Sequence, residues 1–315
     1  MQVLITDLNQ IFQPFSSSVL TIGNFDGIHL GHQGLFQKVR ERARAIQGTA
    51  VVMTFNPHPA QILRPSKAPR QIVADENKAR LIFQHGIEVV LSLPFSREFA
   101  QLPAKTFIRE VLLETIGMKE IVIGYDYTFG RKREGNIHLL KELGDQWNFR
   151  VHVHPPVTIR GQLVSSTRIR ELITSGAMEE AKSLLGRPFF LSGRVIKGQG
   201  IGRSVVGYPT ANLETREKLL PQRGVYIVKA ETALGGFFGV TNVGFNPTFA
   251  GKHISVETYL FDFDRPLYDQ NLTVHFLKRL RGEKTFAGPE ALRAQIHKDV
   301  EQARNWLTKL NLDRR

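Results

Sequence analysis

VLTIGNFDGIHLGHQGLFQKVRERARAI, residues 19–46, is the stretch on which the fold turns. It begins with the apolar and β-branched residues of a buried strand, turns through Asp26-Gly27, and from Gly31 takes up helical spacing. A strand that feeds a helix through a short loop is the repeating unit of a parallel sheet.

The alternation continues along the first half. TAVVMTF from Thr49, VVLSL from Val89, EIVIGYD from Glu120 and RVHVHPP from Arg150 read as further strands. Helical patterns lie between them, near Glu76 to His85, from Pro103 to Ile116 and from Asn136 to Trp147. Near-continuous apolar strands separated by helices predict an α/β domain with a doubly wound parallel sheet, whose ligands bind at the carboxyl ends of the strands. After about Leu185 the pattern changes. FFLSGRVIKG, TANLE, GVYIVKAET, FFGVTNVG, SVETYLFDF and NLTVHFLKRL are strand-like with Gly and Pro turns between them, which predicts an antiparallel β-barrel. Leu292, Ile296, Val300, Ala303 and Leu307 then mark one long amphipathic helix from Pro289 to Leu310. The expected domains are residues 1–185 and 186–315, with the boundary near Gly186-Arg187-Pro188.

Composition narrows the function. The absence of cysteine removes disulfide frameworks, thiolate metal sites and cysteine nucleophiles. The start, MQVLITDLNQ, lacks the basic and apolar regions of a leader, and no stretch is apolar for long enough to span a bilayer, so the cytoplasm is the expected compartment. The formal charge of +13 fits either nucleic acid or small polyanions such as ATP. Charge alone does not choose between nucleic acid or membrane and small polyanions: its longest clusters, Arg131-Lys132-Arg133 and Lys278-Arg279-Leu280-Arg281, do not resemble a polybasic tail, and each reads at least as well as a solvated face.

His29 and His32 follow the first strand where the chain enters a helix. At i and i+3 on a first turn both imidazoles face one way, beside free backbone N–H groups that favour a phosphate. Gly31 between them keeps the backbone open to a flat ligand. Such a cluster can stabilise charge developing on an α-phosphate under nucleophilic attack. A zinc site is the weaker reading, for want of a third ligand at a recognisable spacing. Asn56-Pro57-His58-Pro59, the Gly124 to Gly130 segment and Ser165-Ser166-Thr167-Arg168-Ile169-Arg170 are expected at strand ends, where ligand contacts gather. In the last, hydroxyls at a helix start with arginine one turn on suit a triphosphate. Tyr127 and Phe129 could stack on a flat ring, and His152 and His154 read as structural.

In the second half, glycines at 198, 200 and 202 precede GYPTAN. Gly198, Gly200 and Gly202 would let backbone N–H groups surround phosphate, although the pattern is not a Walker loop. Thr210 and Asn212, two apart in a strand, put a hydroxyl and an amide oxygen on one face, hard donors suited to Mg²⁺. Alternation in SVETYLFDF puts Glu257 on the face of Tyr259, Phe261 and Phe263. A carboxylate there needs a cationic partner or a task, and partial desolvation would make it a better general base.

GNFDGIHLGH resembles the signature of the HxGH nucleotidyltransferase superfamily. Together with NPHP, GYDYTFG and SSTRIR it is similar to the adenylyltransferase half of the prokaryotic bifunctional riboflavin kinase/FMN adenylyltransferase family. GQGIGRSVVGYPTAN, GVY, NVGFNPTF and VETYLFDF resemble, in order, that family's riboflavin kinase half. The resemblance implies that riboflavin and ATP give FMN in the second half, and that FMN and ATP give FAD and pyrophosphate in the first, both steps with Mg²⁺. It implies catalytic roles for His29 and His32 on ATP phosphates, ATP contacts at Gly23, Phe25, Asp126, Ser166, Thr167 and Arg170, and a flavin contact at Phe129. In the second half it implies ATP contacts along Gly198, Gly200 and Gly202, Mg²⁺ and ATP at Thr210 and Asn212, and Glu257 as the base for the riboflavin 5′-hydroxyl. Asp269 stands where the family usually has glycine after Leu267-Tyr268, so a different turn is expected there.

Overall fold

The computed structural model describes residues 2–197, 207–215, 217–245 and 254–310. The chain divides into two compact units, Met1–Ser166 and Thr167–Arg315.

The first unit is built on a six-stranded sheet of β1 (Val3–Ile5), β2 (Ser18–Ile22), β3 (Ala50–Phe55), β4 (Val89–Leu93), β5 (Met118–Gly124) and β6 (Arg150–His154). All neighbouring strands are parallel, in the order β1-β4-β3-β2-β5-β6. Every residue of β2 and β3 is buried, which is why both read as unbroken apolar runs. The crossovers include α1 (Leu30–Ala45), α2 (Pro59–Leu63), α3 (Asp75–Gln84) and α4 (Arg97–Ala100). They continue with α5 (Ala104–Thr106), which runs on as a π-helix over Phe107–Thr115, and α6 (Ile137–Trp147). The chain moves from β2 outward through β3 to β4, then returns to place β5 on the other side of β2. The strand order therefore reverses between β2 and β5, and a crevice opens at their carboxyl ends. The short edge strand β1 left no mark in the sequence pattern, because three residues carry no period.

A small hairpin of β7 (Thr158–Ile159) and β8 (Gln162–Leu163) leads to α7 (Ser166–Thr174). SSTRIR thus follows a hairpin, not a strand of the parallel sheet as the sequence pattern suggested. In the second unit α8 (Met178–Leu185) packs on β9 (Phe189–Ile196) and β14 (Asn271–Arg281). With β10 (Ala211–Thr215), β11 (Gly224–Thr232), β12 (Gly235–Phe245) and β13 (Ile254–Leu260), these strands close an antiparallel barrel in the order β10-β13-β12-β11-β14-β9. The terminal helix α9 (Pro289–Lys309) lays Val300, Ala303 and Leu307 over Val225, Ile227, Val240 and Phe261 on the barrel's outer face. The Arg281 fork holds it there by donating to the buried Asp299 carboxylate at 2.7–3.1 Å.

Closure between β9 and β10 depends on Gly193, where a Cβ would lie 1.9 Å from the Glu214 carbonyl oxygen. Gly193→Ala is expected to destabilise the barrel by about 1–3 kcal/mol through overpacking. A thermal melt with an unchanged midpoint would contradict that. The turn at Asp269 takes a left-handed conformation, φ 65°, the region that glycine enters without strain. Asp269 is one of the residues that tolerate this region, and its carboxylate pairs with Arg194 at 3.1 Å.

Candidate active sites

The crevice at the switch point is a cleft of about 260 Å³. The ends of β2, β5 and β6 supply Gly23 and Phe25, Gly124 to Tyr127, and His154 respectively, and the wall also includes His29, His32 and Ser166. The loop from Gly23 to Ile28 is locked from both sides. The buried Asp26 carboxylate accepts the N–H groups of Ile72 and Val73 at 2.9 and 3.4 Å, and the Asp26 carbonyl accepts the Ser166 hydroxyl at 2.8 Å. Gly27 has φ 85° and packs on Ile72, where a Cβ would sit 3.0 Å away, so this turn requires glycine.

Sequence spacing put both histidines on the first turn of the helix. His29 stands one place outside it, as the N-cap of α1, and its Nδ1 accepts the His32 backbone N–H at 3.4 Å. The two rings stack, with centroids 3.6 Å apart and planes 20° from parallel. Gly31 makes room for that stack, since a Cβ there would lie 3.2 Å from the His29 ring. Phe25 meets His32 edge-on at 5.2 Å. Burial, then His29, then Lys78 hold His32 well below the ordinary imidazole range, so it is neutral near pH 7. Among the described residues its Nδ1 is buried with no hydrogen-bond partner, a cost that a purely structural side chain would not carry. The pair therefore offers N–H donors at the positive end of a 16-residue helix, which suits a phosphate that gains charge during reaction.

The other expected residues divide. Gly23, Phe25, Asp126 and Ser166 line the cleft, Asp126 as an exposed side chain. Thr167 and Arg170 continue α7 from Ser166 and belong to the second compact unit. Phe129 is not part of the lining. It stacks on Tyr127, which is, at 5.4 Å and 18°, and it pairs through its backbone with Gly135. Burial pushes the Tyr127 phenol upward. His58 of NPHP caps α2 by accepting the Ala60 N–H at 3.1 Å. His152 bonds at 2.7 Å to the buried Glu120, whose carboxylate also receives the Arg42 fork at 2.7 and 2.9 Å, a structural role as expected. His154 is different. It lines the cleft, and Gly34 of α1 makes room for it, since a Cβ there would come within 2.8 Å of its Nε2. Only the packing of α1 beside β6 reveals this position.

In the barrel, Glu257 on β13 stands directly opposite Asn212 of β10 and Asn242 of β12, so one outward-facing row reads Asn212, Glu257, Asn242. Val256, Thr258 and Leu260 point the other way and are buried. Glu257 has no cationic partner among the described residues. Burial raises its carboxyl above the usual range, and a hydrogen bond from Ser255 offsets this in part. The aromatic face is shorter than alternation implied. β13 ends at Leu260; Tyr259 and Phe261 still touch, with rings 5.9 Å apart, whereas Phe263 lies beyond the strand and packs on Phe237. Thr210 immediately precedes β10, and Tyr208 meets Tyr259 edge-on at 5.0 Å. Gly198, Gly200 and Gly202 lie outside the described residues.

The FAD synthetase family model matches residues 12–168, and the riboflavin kinase model matches residues 185–307. A bifunctional riboflavin kinase/FMN adenylyltransferase of Buchnera aphidicola subsp. Schizaphis graminum is 37% identical over 302 residues, 95% of this chain and 96% of its own length. One from Escherichia coli K12 is 37% identical over 306 residues, 96% of this chain and 97% of its own. A crystal structure described as a macrolide-efflux protein from Streptococcus pneumoniae is 36% identical, covers 97% of this chain and 99% of that one, and superposes with a TM-score of 0.87. Among the described residues no helix here is long and apolar enough to cross a membrane. With both domain models matched in order and relatives aligned along nearly its whole length, the chain belongs to the bifunctional riboflavin kinase/FMN adenylyltransferase family and carries both transferase activities.

Proposed function

We propose that adenylyl transfer takes place at the His29–His32 cleft, within residues 1–185, and riboflavin phosphorylation at Glu257, within residues 186–315. The observation that carries this division is the contrast between the two sites. One offers two stacked imidazoles at a helix N-terminus, that of His32 held neutral, and the other a partly desolvated carboxylate with no cationic partner among the described residues. A hydroxyl nucleophile must lose a proton and needs a base; a phosphate nucleophile has none to lose and needs charge stabilisation.

Glu257 takes the proton of the riboflavin 5′-hydroxyl as that oxygen attacks the γ-phosphorus of ATP, giving FMN and ADP. Thr210 and Asn212 hold Mg²⁺ with the nucleotide, and Gly198, Gly200 and Gly202 surround its phosphates. The fit to Mg²⁺ rests on hard oxygen donors, a hydroxyl and an amide, with Asn212 across the strand from Glu257. When bound, the ion neutralises phosphate charge. In the first half an FMN phosphate oxygen attacks the α-phosphorus of a second ATP and pyrophosphate leaves. His29 and His32 stabilise the charge that develops, while Gly23, Phe25, Asp126, Ser166, Thr167 and Arg170 hold ATP. Phe129, through its stack on Tyr127, supports the flavin side of the cleft. On this reading the +13 charge serves small phosphates and not nucleic acid or membrane, and the enzyme works in the cytoplasm.

Incubation with riboflavin, ATP and Mg²⁺, followed by chromatography, is expected to give FMN first and FAD after it. Excess chelator is expected to stop both. FMN formation that persists in chelator would remove Mg²⁺ from the proposal.

A further inference from the structure

We propose that His154 selects the nucleotide used in adenylyl transfer: its Nε2 accepts a hydrogen bond from the 6-amino group of the base. This rests on the assignment of adenylyl transfer to the His29–His32 cleft.

The lining of that cleft has two chemically different parts. In one, the stacked His29–His32 pair stands at the N-terminus of α1, where phosphate charge belongs. In the other the wall is made by Pro155, Pro156, Val157, Leu163 and Val164, and no Lys or Arg lines the cleft among the described residues. The Val164 N–H donates to the Val157 carbonyl at 2.9 Å, which ties these two stretches side by side. Leu163 is left exposed there. An uncharged apolar slot of this kind suits a flat base. It runs directly into Ser166, on the ATP side of the site, whereas the rings suited to the flavin, Tyr127 and Phe129, follow β5.

An apolar slot holds any base, and a polar group is needed to tell one from another. His154, the last residue of β6, supplies it. Its Nδ1 lies 2.8 Å from the Pro155 carbonyl oxygen. A carbonyl only accepts, so the proton of a neutral imidazole sits on Nδ1 and leaves Nε2 as an acceptor. Among the described residues Nε2 has no hydrogen-bond partner. Residue 34 of α1 is glycine, and a Cβ there would come within 2.8 Å of Nε2, so no side chain at that position covers the nitrogen. Such an acceptor matches the 6-amino group of adenine and opposes the 6-carbonyl of guanine.

ATP and purine riboside triphosphate, which carries hydrogen in place of the 6-amino group, are the substrates that decide. With FMN supplied to the full chain and pyrophosphate release followed, the wild-type enzyme is expected to lose about tenfold in kcat/KM on going from ATP to the analogue, the scale of a hydrogen bond left unmet. His154→Ala is expected to treat the two nucleotides alike. His154→Gln, whose amide oxygen still accepts, should restore part of the preference, and the KM for FMN should stay unchanged in both variants. A wild-type enzyme that uses both nucleotides equally would overturn the proposal without any variant, and so would an alanine variant that keeps the preference. A raised KM for FMN would place His154 on the flavin and overturn it likewise. Normal FAD output from His29→Ala would instead sink the cleft assignment, whereas equal use of both nucleotides beside an inactive His29→Ala sinks only the role of His154.

Discussion

Glu257→Gln is expected to lower kcat for FMN formation by about 10²–10⁴, the usual contribution of a general base. Glutamine keeps the shape and the place between Asn212 and Asn242 but cannot accept the proton. The KM for riboflavin should change little, because the substitution removes proton transfer and leaves the binding surface. Burial raises the Glu257 pKa, so the wild-type rate should climb with pH through a midpoint above the ordinary carboxylate value of 4.5. That limb should vanish in the variant. Folding should not suffer. A carboxyl whose folded pKa is raised weakens the fold as pH rises and it ionises, and a neutral amide is spared this. A variant that loses riboflavin phosphorylation only through a lower melting temperature would refute the role as base.

His29→Ala is expected to lower FAD formation from FMN by about 10²–10³, the scale of losing one donor to a developing oxyanion. Riboflavin would still be phosphorylated, so FMN would accumulate. The structural part of the loss is small: the cap bond is long, at 3.4 Å, and an N-cap contributes about 0.5–2 kcal/mol to stability. His32 would also lose its stacking partner, 3.6 Å away, and with it a fixed orientation. A variant with ordinary FAD output would take the imidazole out of the mechanism.

The strand and helix grammar carried most of this architecture. Buried parallel strands cannot hide their apolar runs, and α1 begins within a residue of the place that spacing indicates. Glu257 was legible for the same reason, since period two fixes its face. Its neighbour Asn242 was not, because the β12–β13 register is set by tertiary pairing and not by the residues of either strand. His154 was missed for a related reason: it is a histidine at a strand end until Gly34 of α1 packs against its ring. Phe263 shows the limit of alternation, which holds only while the strand lasts. Phe129 was expected at a flat ring and stands one ring removed, behind Tyr127.

On the proposed division two separate residue sets serve two separate steps, and a crossed assay tests this most directly. Each variant, His29→Ala and Glu257→Gln, receives riboflavin in one reaction and FMN in another, with ATP and Mg²⁺, and products are resolved by chromatography. The expected result is a crossing: His29→Ala makes FMN but little FAD, and Glu257→Gln makes FAD from FMN but little FMN from riboflavin. Loss of both activities in either folded variant would contradict the account.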